Sequence, residues 1–165
     1  MFESLKGEEM KIGIIADSHD HREYIIKSVE CFNDENVEMV IHAGDIVSPF
    51  TEKEFKKLKS KMKAVFGNND GERFGLKKFF DINLPPIELT LDNKKIIVMH
   101  EPHNIEALKE SNHYDVIIYG HLHDSLIEKE KTTVINPGET CCWLTGKATV
   151  VILDTESMET RLIEL

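Results

Sequence analysis

The sequence lacks the features that mark membrane proteins and disulfide-stabilised domains. No apolar stretch approaches the roughly 20 residues of a membrane span, and the N-terminal residues form no continuous apolar signal region. Only three cysteines are present, an odd number, and Cys141 and Cys142 are adjacent, so they do not outline a disulfide framework. We therefore expect a cytoplasmic protein whose thiols are reduced.

Positive charge is also scarce. Lys and Arg number 20 against 30 Asp and Glu, which gives a formal net charge of -10. This balance disfavours nonspecific binding to nucleic acid or to anionic membrane surfaces, and the basic footprint of a nucleic-acid-binding domain is missing. An anionic substrate would have to be held by local cations, and bound metal ions are a natural source of such charge.

The chain does contain enough apolar sequence for one core. Its 165 residues are 41% hydrophobic, which suits a single domain that folds without disulfides. We predict one domain over residues 1–165, in which the polar residues 1–9 form a flexible extension before the first strand.

The apolar segments of the first half predict a parallel, helix-covered sheet, because short apolar runs alternate with helical patterns. The strands are expected at residues 12–16, 37–42 and 62–66, the helices at about 21–33 and 48–59, and a short helix or loop at 71–80. The helix that starts at Ser48-Pro49 should turn Phe50, Phe55 and Leu58 inward.

The second half consists mostly of strands. Asp92-Asn93 is a candidate hairpin turn between two of them, and a helix is expected at residues 104–111. The strands are expected at residues 87–91, 94–99, 116–119, 125–130, 133–135, 148–153 and 159–163. We predict an α/β fold of two mixed β-sheets that pack face to face as a sandwich, with helices on the outer faces.

Five of the apolar runs end at residues that are good metal ligands. The five ends are Asp17 with His19, Gly44-Asp45, Gly67-Asn68-Asn69-Asp70, His100, and Gly120-His121-Leu122-His123. One such ending would mean little, whereas five that all offer oxygen or imidazole are hard to explain by solubility alone. Because α/β sheets bind ligands beyond the carboxyl ends of their strands, the pattern predicts a site at one sheet edge.

The order Asp-x-His, Gly-Asp, Gly-Asn-x-Asp, His, Gly-His-x-His resembles the calcineurin-like metallophosphoesterase superfamily, and the match runs from residue 11 to about residue 138. The short length and the lack of insertions resemble the small single-domain phosphodiesterase branch. The resemblance implies the four-layer fold of that family and a hydrolase that cleaves small phosphodiesters with two divalent metal ions.

The resemblance also implies roles for individual residues. The bridging ligand of both ions would be Asp45. The first ion would also take Asp17, His19 and His123, and the second Asn68, His100 and His121. A hydroxide shared by the ions would be the nucleophile. Manganese is favoured on resemblance, and imidazole and oxygen ligands also suit nickel, cobalt, iron or zinc.

Three positions depart from the family pattern. Asn69 stands where family members that hydrolyse monoesters commonly have histidine; a carboxamide can bind a phosphate oxygen but cannot act as a general acid. This makes Asn69 a catalytic candidate and leaves His21 and His103 as alternative proton donors. After His100 the chain reads Glu101-Pro102-His103, where the family usually has Gly-His. Glu139 occupies a position where a small residue is common.

Two rival functions share the fold. A phosphomonoesterase is one, and a non-catalytic scaffold, like the retromer subunit of this fold, is the other; loss of metal ligands would be expected in the scaffold. A dinucleotide-binding domain would need a glycine-rich turn where Asp17 and His19 stand. The apolar run at residues 141–144 is either a contact patch of a homodimer or a buried turn.

Overall fold

A computed structural model describes residues 10–165, and the flexible extension predicted for residues 1–9 lies outside this range. Within residues 10–165 the chain forms two mixed β-sheets and four α-helices. The strands are β1 (Lys11–Ile15), β2 (Met39–His42), β3 (Lys61–Val65), β4 (Ile82–Asn83), β5 (Ile87–Leu91), β6 (Lys94–Val98), β7 (Val116–Ile118), β8 (Ser125–Lys129), β9 (Thr133–Pro137), β10 (Thr149–Asp154) and β11 (Thr160–Glu164). The helices are α1 (Arg22–Asp34), α2 (Glu52–Phe55), α3 (Arg73–Phe79) and α4 (Ile105–Ser111). The predicted fold class is confirmed.

The first sheet has the strand order β11-β10-β1-β2-β3-β4. Strands β1 to β4 are parallel, while β10 and β11 extend the sheet in antiparallel pairing. Helix α1 connects β1 to β2, as the alternating pattern predicted. The carboxyl ends of β1, β2 and β3 therefore lie side by side at one edge.

The second sheet has the order β5-β6-β7-β9-β8. Its first two strands form the predicted hairpin, whose turn residues Asp92 and Asn93 have φ angles of 47° and 59°. Two consecutive left-handed residues are what the tightest hairpin turns require. Strands β6, β7 and β9 are parallel, so the ends of β6 and β7 also lie next to each other.

The packing gives four layers. Ile14 and Ile41 from the first sheet meet Val98 and Ile118 from the second in a core between the sheets, and all four are fully buried. Because side chains alternate along a strand, neighbouring Ile15 faces the other way, toward α1. Helix α4 covers the outer face of the second sheet. Within residues 10–165, no helix has the length and the apolar composition needed to cross a membrane.

The predicted second helix is wrong in length. Instead of continuing to residue 59, it consists of one 3-10 turn, Pro49–Thr51, and one α-helical turn, α2. The side chain of Asn33 binds the backbone at Lys57 and Lys59, which ties the following loop to α1 and ends the helix early. Phe50 lies on the 3-10 turn and is 81% exposed, against the prediction, whereas Phe55 is buried as expected. The two-residue strand β4 is too short to produce a sequence pattern.

Candidate metal centre

The polar residues at the strand ends meet where the carboxyl edges of the two sheets adjoin. In the first sheet, Asp17, Asp45 and Asn68 follow β1, β2 and β3. In the second sheet, His100 follows β6, and His121 and His123 follow β7. The structure brings all seven predicted metal ligands into one cluster, with His19 on the loop after Asp17.

The first half of the cluster surrounds Asp17. His19 Nε2 lies 3.8 Å from Asp17 Oδ1 and 3.4 Å from Asp45 Oδ2. His123 Nε2 lies 3.6 Å from the same Asp17 oxygen. The two imidazole rings are 5.3 Å apart between centroids. Two imidazoles and two carboxylates therefore converge on one point.

The second half surrounds Asn68. His100 Nε2 lies 2.8 Å from Asn68 Oδ1, and His121 Nδ1 lies 3.0 Å from the same oxygen. His100 Nε2 is also 3.4 Å from Asp45 Oδ2. Asp45 Oδ2 is thus equally distant from His19 in the first half and His100 in the second. Among the predicted ligands, its carboxylate lies between the two groups.

Two buried atoms of the first half have no hydrogen-bond partner within the described part of the chain. They are Asp17 Oδ1 and His19 Nε2. Burial raises the pKa of Asp17 to about 7 and lowers the pKa of His19, because each charged form loses hydration. A divalent cation between these atoms would satisfy both of them. The residues present therefore fit a metal ion.

Cys141 also lies close to His19 and His123. Burial raises the pKa of its thiol to about 12, and its Sγ donates to Glu139 at 3.3 Å. The carboxylate that accepts from Cys141 also accepts from His123 Nδ1, so we describe Cys141 as a buried hydrogen-bond donor that supports the orientation of His123. The candidate ligands remain imidazole, carboxylate and amide.

Five residues at this edge have a left-handed backbone conformation that directs their side chains into the cluster. Asp17, His19, Asp45, His121 and His123 all have φ between 40° and 67°, a left-handed conformation that is uncommon outside glycine. Such outliers cluster at functional sites, where surrounding contacts hold them. Here the Asp17 amide donates to Gly44, the His19 amide donates to Asp45, and the His121 amide donates to the Asp17 carboxylate.

Asp70 holds the loops after β2 and β3 together. Its Oδ2 accepts from the backbone amides of Asp45 at 3.0 Å and Gly67 at 2.6 Å, and its Oδ1 accepts from Val47 at 2.7 Å. A side chain at Gly67 would put its Cβ 2.2 Å from Asp45 Oδ1. The glycine therefore lets β3 end close to Asp45, and Asp70 fixes that approach.

Asn69, the predicted catalytic residue, contacts Asp45. Its backbone amide donates to Asp45 Oδ1 at 2.8 Å, and its side-chain amide donates to Oδ2 at 2.7 Å. Burial alone would raise the pKa of Asp45, but hydrogen bonds from His100 and Asn69 lower it well below its usual range. Asp45 is thus kept ionised, as a metal ligand requires.

Two of the candidate histidine ligands have their second ring nitrogen held by a hydrogen bond. His100 Nδ1 donates to the Ala43 carbonyl at 2.8 Å, which leaves Nε2 directed at Asn68 and Asp45. His123 Nδ1 donates to Glu139 Oε2 at 2.6 Å, which leaves Nε2 directed at Asp17. Metal-binding histidines commonly have such partners, which fix the tautomer and the ring orientation.

Glu139 was not predicted as a site residue. It is fully buried and also accepts from the backbone amides of Leu144 at 2.8 Å and Thr145 at 2.6 Å. Burial alone would raise the pKa of Glu139, but hydrogen bonds from His123 and Thr145 lower it to about 2. The sequence showed only an unusual acid after Asn136-Pro137-Gly138; nothing local indicated its partner.

The alternative proton donors lie at the rim. The His21 ring packs on Tyr24 and Trp143, with centroids 4.9 Å and 6.0 Å away, and His103 is exposed and pairs with Glu101 at 3.7 Å. Trp143 is 61% exposed and lies 5.7 Å from the His19 ring. Leu144 is 74% exposed, so the buried-turn interpretation holds only for Cys141. The backbone amide of Leu144 donates to Glu139 Oε1 at 2.8 Å, and the side chains of Trp143 and Leu144 face outward.

Comparison with known proteins is consistent with this geometry. The model of the calcineurin-like phosphoesterase superfamily domain matches residues 10–158. A phosphodiesterase of Methanocaldococcus jannaschii is 48% identical over 94% of this chain and 99% of its own. A probable metallophosphoesterase of Methanothermobacter thermautotrophicus is 30% identical over 93% and 92%, respectively.

Solved structures give the same assignment. An archaeal phosphodiesterase with 47% sequence identity superposes with a TM-score of 0.89, covering 94% of this chain and 100% of that one. The predicted resemblance is therefore confirmed. The chain belongs to the calcineurin-like phosphoesterase superfamily.

Proposed function

We propose that the protein is a dinuclear-metal-dependent phosphodiesterase in which Asp45 bridges two divalent ions. The observation that carries this proposal is the equal distance of 3.4 Å from Asp45 Oδ2 to His19 Nε2 and to His100 Nε2. One shared carboxylate is the simplest way for a protein to hold two cations close together. The phosphodiesterase relatives support the reaction class.

Each ion would have its own ligands besides Asp45. Asp17, His19 and His123 would hold the first ion, and Asn68, His100 and His121 the second. When bound, such a pair neutralises the phosphoryl oxygens and lowers the pKa of a shared water, so that hydroxide is available as the nucleophile. Manganese is our first choice, and nickel, cobalt, iron or zinc would suit the same ligands.

The side chains around the ligands would keep this arrangement fixed during turnover. Asn69 and Asp70 hold Asp45 and its loop, while Ala43 and Glu139 orient His100 and His123. Because the Asn69 carboxamide cannot act as a general acid, departure of the leaving group would depend on the acidity of that group. Diesters with acidic leaving groups would then be better substrates than alkyl monoesters, which disfavours a phosphomonoesterase.

The net charge favours a small substrate, and the unpaired cysteines favour a reducing compartment. The net charge of -10 opposes binding of long nucleic acids. Among residues 10–165, Cys31, Cys141 and Cys142 are unpaired, which suits the cytoplasm. A scaffold would have no need for seven intact ligands with their supporting hydrogen bonds.

The test compares a diester and a monoester that share one leaving group. Chelated protein would be assayed with bis(4-nitrophenyl) phosphate and with 4-nitrophenyl phosphate, before and after Mn²⁺ is returned. We expect activity only with metal and a higher kcat/KM for the diester. A monoester preference would contradict the proposal, and metal-loaded protein inactive on both would favour the scaffold.

A further inference from the structure

A cavity of about 490 Å³ adjoins the second half of the metal centre. Asn68 and His100, two of the candidate ligands, form part of its wall. Its remaining lining is mainly apolar and comes from three parts of the chain: the end of β3, the loop before β5, and β6 with α4. These apolar residues are Phe66, Pro85, Pro86, Ile97, Met99 and Leu108.

The size and lining of this cavity match those of small-molecule sites. Such sites typically enclose about 300–1,000 Å³ and combine apolar walls with a few polar groups. Phe66 and Met99 are each only 5% exposed, so the floor is a formed surface and does not need to be assembled around a ligand. One molecule could therefore place an apolar group in this cavity and its phosphate at Asn68 and His100, because both residues line the cavity.

The lining also contains one arginine, Arg73, which packs near an aromatic ring. The Arg73 guanidinium lies 5.2 Å from the centre of the Phe66 ring, and its Nε donates to the Asp70 carbonyl at 3.4 Å. A guanidinium plane held in this way stacks well on aromatic rings. Besides Arg73 and His100, the lining contains the titratable side chains of Glu101 and His103, which lie 3.7 Å apart between Oε2 and Nε2.

We infer that this cavity binds an aromatic ester arm of a small phosphodiester while the phosphate lies at the metal centre. The inference rests on the proposed function, and it adds a substrate class: diesters with at least one planar aromatic or heterocyclic substituent.

A kinetic experiment isolates the contribution of the arm. Phenylphosphonate and methylphosphonate carry the same phosphonate group, so the ratio of their inhibition constants against turnover of bis(4-nitrophenyl) phosphate reports the contribution of the aromatic arm. We expect phenylphosphonate to inhibit at a concentration at least about tenfold lower, since even a single methylene in an apolar pocket is worth about 10-fold or more. The Leu108→Trp variant, which fills the cavity, should bring that ratio near one.

The matched control is Ala107→Trp. Ala107 is the neighbouring residue on α4, is exposed, and does not line the cavity, so this variant should keep the parent ratio. Equal inhibition constants for both phosphonates in the parent would overturn the inference. An unchanged ratio in folded Leu108→Trp would do the same.

A binding measurement does not depend on turnover. In protein labelled at the methionine methyl groups and loaded with diamagnetic Zn²⁺, phenylphosphonate should shift the Met99 resonance, while methylphosphonate should not. Met39, at the other end of the sandwich core, serves as the internal reference. A Met99 signal that phenylphosphonate leaves unmoved contradicts the inference. A shifted Met99 in a protein that cleaves no diester would support the cavity and refute the proposed reaction.

Discussion

The substitution Glu139→Gln tests how the chain orients His123. Glu139 uses one oxygen to accept from His123 Nδ1 at 2.6 Å and the other to accept from the Thr145 amide at 2.6 Å and the Thr145 hydroxyl at 2.8 Å. A carboxamide has the same shape, but it replaces one accepting oxygen with a donating nitrogen. In either orientation, one donor would face another donor.

The expected losses in stability and in metal affinity follow from general values for buried hydrogen bonds and for residues that support metal ligands. A buried donor that loses its acceptor costs about 1–3 kcal/mol, so the free energy of unfolding should fall by about that amount. If the new amide faces His123, the imidazole must move its proton to Nε2, the atom that points at Asp17. Changes to such a supporting residue typically weaken metal binding by about 10–100-fold.

The assay combines urea unfolding of the metal-free protein with metal titrations followed by turnover. Glu54→Gln is the matched control, because Glu54 is also buried but pairs with Arg22 and contacts none of the candidate ligands. This control should lose stability and keep the metal affinity of the parent. If Glu139→Gln is destabilised but binds metal as tightly as the parent, then Glu139 is a structural residue and the argument about His123 is wrong.

Three further predictions follow from the same geometry. Asn69→His should raise activity on alkyl monoesters and flatten the dependence of rate on leaving-group pKa, since a positioned general acid contributes about 10²–10⁴-fold; a series of graded esters measures this. Because Trp143 is the single tryptophan and lies 5.7 Å from the His19 ring, Co²⁺ should quench the intrinsic fluorescence of the parent and have little effect on His19→Ala. Burial raises the pKa of Asp17 to about 7, so metal-free native protein holds an extra proton there between about pH 4 and 7. Relative to Asp17→Asn, the parent should therefore lose free energy of unfolding as pH rises through that window, and urea titrations of the two proteins measure this difference.

The clustering of the main candidate ligands could be predicted from sequence because their signal is local. Asp17, Asp45 and His100 each come within three residues of the end of a buried strand, and parallel neighbouring strands necessarily bring such ends together. Gly44 and Gly67 added a second local signal, since the chain at these positions passes too close to His100 and Asp45, respectively, for a side chain.

Other features depended on contacts between distant residues. The length of the helix after Ser48 was decided by the Asn33 side chain, which binds a loop 24 residues away. Glu139 became part of the centre through His123, 16 residues earlier, and through the turn at Thr145. The exposure of Trp143 depends on that turn. No periodicity in the sequence carries such information, which explains why these positions were missed or misjudged.

The most direct test of the central claim is the metal content of the chelated and refilled protein, measured together with turnover of bis(4-nitrophenyl) phosphate. We predict about two Mn²⁺ per chain, loss of turnover on chelation and its return on refilling. Asp45→Ala should lose more turnover than His123→Ala, because a bridging ligand serves both ions. Undiminished turnover of the chelated protein, or an Asp45→Ala variant as active as the parent, would contradict the account.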